Sequence, residues 1–308
     1  MLQCDRCKMD AVTFIRYSGA HLCRRHFSEF VEKRVKKELR KQGELRSDGV
    51  VALAVSGGKD SIVMMRLLHK ILEERKDLEL HAITVDEGIE GYRPESMEMA
   101  RNNCKSLAIP HHVLGFKEMV GITMDEISRL SIQTTPCSYC GVFRRKCLNM
   151  KAKELGANKL ATGLNLDDTA QSILMNFARG DIAKMARLGP HERVQEGLVP
   201  RIQPLRVIPE KESYLYALLN NIEFYDGECP YSERALRGKY RKIINELEND
   251  TPGTRHALLR SYDAISSALA KSFPPAQLNR CSNCGEPTLN TVCKACCMVR
   301  DLNRMMNK

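Results

Sequence analysis

Ser56-Gly57-Gly58-Lys59-Asp60-Ser61 follows a continuous apolar run, Val50–Val55, and precedes a stretch with Ile62, Met65, Leu68 and Leu72 at helical spacing. Glycines at such a corner let backbone N–H groups approach phosphate oxygens, and the N-terminus of the next helix adds about half a positive charge. A polyphosphate fits there. The order is not Gly-x4-Gly-Lys-Ser/Thr, so this is no Walker A loop. The competing structural role is a glycine turn capped by Ser or Asp.

The cysteines supply a second chemistry. Cys4, Cys7, Cys23 and His26 form Cys-x2-Cys-x15-Cys-x2-His, and Cys281, Cys284, Cys293 and Cys296 form Cys-x2-Cys-x8-Cys-x2-Cys. Four ligands in two close pairs build a closed tetrahedral zinc site, so two structural Zn²⁺ ions are expected. Cys297 sits beside one of these ligands, and His21 is a weaker candidate than His26. The middle group differs: Cys137 and Cys140 are two residues apart, and Cys229 follows about ninety residues on. Three thiolates are an incomplete zinc set and can hold a [4Fe–4S] cluster with one iron open. A persulfide-carrying cysteine with a resolving partner is the chemical alternative, and inert buried thiols the bland one.

These residues need a frame. Strand candidates at Val50–Val55, Glu79–Val85, His112–Phe116, Lys159–Thr162 and Arg201–Leu205 alternate with helical stretches at Ser61–Glu74, Glu95–Leu107, Tyr139–Leu155 and Asp168–Ala178. That predicts an α/β fold with a parallel sheet of about five strands, flanked by the two zinc modules. Ligands in such sheets sit beyond the carboxyl ends of strands, which brings in Asp86 and the segment Thr162-Gly163-Leu164-Asn165-Leu166-Asp167-Asp168. Turn formation competes for Asp86, and helix capping for Asp167 and Asp168. A helix from Phe27 to about Gln42, ended by Gly43, links the first module to the core, and Pro274 and Pro275 mark a linker into the last. The expected division is residues 1–46, 47–230, 231–273 and 274–308.

The chain carries 48 Lys and Arg against 38 Asp and Glu, a net charge of +10, which favours a polyanionic partner. Arg234, Arg237, Lys239, Arg241 and Lys242 concentrate charge on a predicted helix, and Arg24, Arg25, Lys33 and Lys36 do so near the first zinc group. A solvated helix face explains either stretch equally simply. No apolar run approaches the roughly 18 residues that span a bilayer, and thirteen cysteines without an export signal suit a cytoplasmic protein.

The Ser-Gly-Gly-x-Asp-Ser order resembles the PP-loop of N-type ATP pyrophosphatases, and the fold that this implies is Rossmann-like, of the HUP or adenine nucleotide alpha hydrolase type. By that resemblance Ser56, Gly57, Gly58, Lys59, Asp60 and Ser61 surround the pyrophosphate of ATP and its Mg²⁺, with Asp86 and Gly163 completing the ATP site. Taken with the central thiols and both terminal cysteine groups, the chain resembles, over its whole length, tRNA 2-thiouridine synthetases of the TtuA/NcsA type. The resemblance implies adenylation of the C2 oxygen of a tRNA uridine, then displacement of AMP by sulfur. It implies a [4Fe–4S] cluster on Cys137, Cys140 and Cys229, and catalytic roles for Asp60, Asp168 and Arg144. Leu164 stands where the related block often has His. The implied partners are tRNA, a sulfur donor (sulfide or a ubiquitin-like thiocarboxylate carrier) and a second copy in a homodimer. Another PP-loop enzyme, thiolating cytidine or amidating a small molecule, and a zinc-ribbon RNA-binding protein with a vestigial loop are the rival readings.

Overall fold

The computed structural model describes residues 2–43, 45, 48–130, 132, 134–190, 195–232 and 237–306. The chain opens with an antiparallel hairpin, β1 (Thr13–Ile15) and β2 (Ala20–Leu22), and runs into α1 (Arg24–Lys41). Phe27, Val31, Val35 and Leu39 recur every four residues and are buried, so one apolar stripe seats α1 on the core. Gly43, at φ +75°, ends it as expected. The helix starts three residues before Phe27 because Cys23 serves as N-cap, which puts His26 on the first turn.

One wing of the sheet follows: β3 (Gly49–Ala54), α2 (Lys59–Leu72), β4 (Leu78–Asp86), α3 (Arg93–Ser106) and β5 (His111–Gly115). Short helices α4 (Phe116–Val120) and α5 (Met124–Ser128) lead to α6 (Pro136–Glu154). The other wing is β6 (Ala157–Thr162), α7 (Leu166–Ala178), α8 (Ile182–Met185), β7 (Arg201–Ile202) and α9 (Glu210–Leu219). Strand order is β5-β4-β3-β6-β7 and every pair is parallel. Strand β3 is central, which is why its sequence is an unbroken apolar run: Val51, Ala52 and Leu53 are buried on both faces. The order reverses between β3 and β6, and their carboxyl ends form the crevice of a doubly wound sheet.

Strand β7 pairs over two residues where the sequence suggested five. The Gln42 side chain takes both backbone groups of Gln203, at 2.8 and 3.0 Å, and Pro204 has no N–H to give. Helix α9 has no clean amphipathic pattern in the sequence because its buried face carries Glu212 and Ser213 while Leu218 is exposed.

Helices α10 (Arg237–Asp250) and α11 (Thr254–Ser272) pack on α7, and a last module of β8 (Asn279–Arg280), β9 (Pro287–Thr288) and α12 (Lys294–Met306) closes the chain. Both cysteine modules share cores with the sheet. Cys4, Leu22 and Cys23 join α1, α2 and α9 against one face; Cys281, Cys293 and Leu302 join Phe143 and Cys147 of α6 against the other. Among the described residues, no helix is long and apolar enough to cross a membrane.

Candidate active site

The glycine corner lies at the carboxyl end of β3. Gly57 adopts φ +89°, and a Cβ there would fall 1.7 Å from the Ser96 carbonyl oxygen, so α3 crosses too close for any other residue. The Ser56 amide donates to Ser61 Oγ at 3.1 Å, and Ser61 Oγ donates to the Gly58 carbonyl at 2.8 Å, which fixes the loop's curvature without a ligand. Helix α2 has no side-chain cap, so the first amides of the helix remain available to an anion. Gly163, at the end of β6, abuts this helix: a Cβ would lie 2.9 Å from backbone atoms of Asp60 and Ser61.

Charge converges on the corner. Lys59 Nζ reaches both Asp60 carboxylate oxygens at 3.0 Å and Glu210 at 3.9 Å. Asn165 Nδ2 donates to Asp60 at 3.1 Å. Asp168 closes a capping box with Asn165 at the start of α7 and also pairs with Arg237 of α10 at 3.0 Å. Capping therefore coexists with a position beside Asp60. Burial holds the Asp168 carboxyl above the usual carboxylate range, the Arg237 charge opposes that, and the nearby Asp60 adds to it. Asp167 points elsewhere, accepting from the Glu210 amide at 2.7 Å and pairing with Arg255 at 2.6 Å. Asp86 accepts from the Gly88 amide at 2.9 Å, the turn role weighed for it, at the carboxyl end of β4 on the crevice side.

The three central cysteines come together. Cys137 and Cys140 are the second and fifth residues of α6, which begins one residue before Cys137 because Pro136 is suited to that position. Cys229 arrives from the loop after α9, whose Tyr225 pairs with the glycine corner by donating its amide to the Gly57 carbonyl at 2.9 Å. The thiol of Cys137 donates to the Tyr231 carbonyl at 3.4 Å. Burial pushes the Cys229 thiol up, with the Tyr231 amide opposing and the Cys137 charge adding to it. Burial likewise raises Cys140, while Arg144 opposes it from 3.0 Å.

Sequence reasoning missed the residues that join corner and thiols. Glu87 is 3% exposed and forms ion pairs with Arg93, whose Nε lies at 2.7 Å, and with Arg144, whose Nε lies at 2.9 Å. Arg93 also donates to the carbonyls of Ser56 at 3.1 Å and Val85 at 2.6 Å. Glu87 adjoins Asp86 in sequence, and which acid turns inward depends on the Asp86 turn, a tertiary outcome. Asn165 and Glu210 were likewise unassigned.

The terminal groups fit closed metal sites. Among the described residues, two sets of His, Cys, Asp or Glu have all ligand atoms within 4.8 Å of one another: Cys4, Cys7, Cys23, His26 and Cys281, Cys284, Cys293, Cys296. Separations of 3.7 Å for Cys7–Cys23 and for Cys284–Cys293 match the edge of a tetrahedron with metal–sulfur bonds of about 2.3 Å. Burial resists ionisation of Cys4, but amides of Arg6 and Cys23 and the His26 ring bring its thiol down to about 6. The Cys293 amide does the same for Cys281, against burial, also to about 6. Cys297 turns away towards the Val292 carbonyl, and His21 stacks on Phe14 instead of joining the first set. The central trio is not among these close sets.

The fold and the glycine corner define a PP-loop protein, and a model described as "PP-loop domain" matches residues 27–247. A second, "2-thiouridine synthetase TtuA, N-terminal LIM domain", matches residues 3–28. The chain is 38% identical to the tRNA 2-thiolation protein NcsA of Haloferax volcanii, over 98% of this chain and 99% of that one. It is 34% identical to cytoplasmic tRNA 2-thiolation protein 1 of Danio rerio, over 100% and 90% of the respective lengths. Among solved structures, the U34-tRNA thiolase NcsA from Methanococcus maripaludis with its [4Fe-4S] cluster superposes with a TM-score of 0.86, at 34% identity, over 98% of this chain and 97% of that one. The chain belongs to the TtuA/NcsA family of tRNA 2-thiolation proteins.

Proposed function

We propose that this protein is an ATP-dependent tRNA-uridine 2-sulfurtransferase that adenylates the C2 oxygen of a tRNA uridine and replaces it with sulfur, giving 2-thiouridine. The observation that carries this reading is the convergence of the PP-loop and three thiols, bridged by Arg93, Glu87 and Arg144. A cytoplasmic homodimer is the form that the family resemblance favours.

The first step needs the α-phosphate of ATP held at the corner. Ser56, Gly57, Gly58, Lys59 and Ser61 take the phosphates, with Asp60 and Asp168 on the magnesium side and Asp86 and Gly163 at the nucleoside end. The uridine oxygen attacks the α-phosphate, pyrophosphate leaves, and C2 then carries AMP as a good leaving group. A sulfur nucleophile adds at C2, and AMP departs with the former uridine oxygen. Cys137, Cys140 and Cys229 are the three ligands for a [4Fe–4S] cluster, in keeping with the cluster in the solved relative. When bound, such a cluster offers one iron without a protein ligand, where sulfur can be held. Arg144 stands beside the thiols and stabilises negative charge at the meeting point. The terminal sets hold Zn²⁺ and fold segments too small for cores of their own. The sulfur donor is sulfide or a thiocarboxylate carrier.

Incubating anaerobically purified protein with ATP, Mg²⁺, sulfide and unthiolated tRNA, with nucleoside mass spectrometry, tests the reading. Equal amounts of 2-thiouridine and AMP support it. ADP as product, or no turnover, contradicts it.

Two further outcomes are expected. Asp168 acts ionised, so thiolation falls as pH drops through a pKa that burial has raised. Arg237 lowers that pKa, so Arg237→Met should move the acid limb of kcat, measured at saturating tRNA, to higher pH; an unmoved limb contradicts the assignment. Lys239 and Lys242 are exposed and, among the described residues, make no ion pair, whereas Arg237 and Arg241 are tied to Asp168 and Glu210. Arg234 lies outside the described residues. Replacing both lysines by alanine should weaken tRNA binding and cut the slope of log K against log salt by about 1 to 2, with KM for ATP unchanged.

A further inference from the structure

Arg144 is half-exposed, its side chain 49% accessible, and an arginine in that position loses rotamer freedom when held in one pose. What holds it is Glu87, whose side chain is 4% exposed, with the Nε of Arg144 at 2.9 Å. Glu87 is itself fixed from behind by Arg93, 3% exposed, whose two outer nitrogens are spent on the Val85 and Ser56 carbonyls and on Ser96 Oγ. The order of rigidity runs from backbone to Arg93, Glu87, Arg144 and the Cys140 thiol. A carboxylate buried this deeply needs one cation to offset its desolvation. Arg93 suffices for that, so the second guanidinium is the feature calling for another explanation.

We infer that Glu87 is a positioning residue, which holds the Arg144 guanidinium across Cys140 and registers it to the PP-loop through Arg93. This rests on the thiolation reading, where Arg144 faces the point at which sulfur meets the activated carbon. Displacing a charged group there by about an ångström costs up to a hundredfold in rate. Glu87→Gln keeps the side chain's shape beside Arg93 but drops the charge that pairs with Arg144. It should lower kcat for 2-thiouridine formation by about tenfold and leave KM for ATP within about twofold.

The deciding readout needs neither ATP nor tRNA. In protein stripped of iron, the rates of Cys140 alkylation by iodoacetate and by iodoacetamide are compared by peptide mass spectrometry. The thiolate attacks the methylene carbon of either reagent and displaces iodide, so the ratio of rates cancels thiol ionisation and reports local positive charge. Arg144→Met should lower the iodoacetate-to-iodoacetamide ratio about threefold or more, Glu87→Gln should match it, and the double variant should fall no further. If Glu87→Gln does not fold, Glu87→Asp keeps a carboxylate for Arg93 while withdrawing it from Arg144, and the same drop is expected. A ratio unchanged by the Glu87 variants but lowered by Arg144→Met overturns the inference, as does a further drop in the double variant. Failure to form 2-thiouridine with the alkylation pattern intact would instead count against the thiolation reading.

Discussion

Replacing Cys229 by serine should lower 2-thiouridine formation at least ~100-fold while leaving tRNA-dependent ATP–pyrophosphate exchange within about threefold of wild type. On the proposed function, the two halves of the reaction are served by different residues. Phosphate handling lies with the glycine corner, whose loop bonds run among Ser56, Gly58 and Ser61. Sulfur handling lies with thiols brought by α6 and by the loop after Tyr225. Serine preserves the volume and the Tyr225 pairing with Gly57, so the corner keeps its shape, but an alkoxide does not form at neutral pH to replace a thiolate ligand. Iron content, measured on protein purified without oxygen, should fall in parallel. Loss of both half-reactions together would mean that Cys229 supports the nucleotide site and has no separate part in sulfur transfer.

The second large effect is expected at a residue outside the active site. Cys293→Ala should reduce bound zinc by about one ion per chain, expose the segment after α11 to protease and depress thiolation as well. Structural zinc contributes metal-binding free energy on the order of 10 kcal/mol to small modules that are otherwise unfolded. Here the module is also one wall of a core: Cys281, Cys293, Met298 and Leu302 pack with Phe143, Cys147 and Leu148 of α6. Asn149 of α6 further donates to Glu286 at 3.0 Å and to the Gly197 carbonyl at 3.0 Å. Helix α6 carries Cys137 and Cys140 near its N-terminus, so losing its cover should loosen the thiol trio from the far end. Zinc determination with limited proteolysis checks the first part. Retention of full activity after zinc loss would show that the module does not brace the site.

What the sequence disclosed follows from which signals are local. The apolar run of β3, the stripe of α1 and the paired cysteine spacings each depend on a few neighbouring residues, and the structure contains all three. The corner glycine was legible as a type, though its reason, a Ser96 carbonyl 1.7 Å from where a Cβ would stand, comes from α3. Residues such as Glu87, Arg93 and Glu210 are charged positions whose meaning arises only when distant segments meet. In a linear reading they look like any solvated charge. Arg237 and Arg241 belong to a basic helix that the sequence offers to nucleic acid or to solvent, and the structure ties these two cations to Asp168 and Glu210. Helix α9 was hidden because its inward side mixes Tyr216 and Ala217 with polar residues: Glu212 pairs there with Arg34 at 2.5 Å and accepts from Tyr17 at 2.6 Å, tying the first module to the sheet.

The central claim is that ATP is spent on the uridine oxygen itself, and isotope transfer tests this most directly. Transcript tRNA carrying ¹⁸O at the uridine C2 position is converted with ATP and sulfide, and the AMP released is analysed by mass spectrometry. The account predicts one ¹⁸O in the phosphate of AMP for each 2-thiouridine formed. Unlabelled AMP alongside 2-thiouridine would contradict it, because the oxygen would then have left by a route that never passed through the nucleotide.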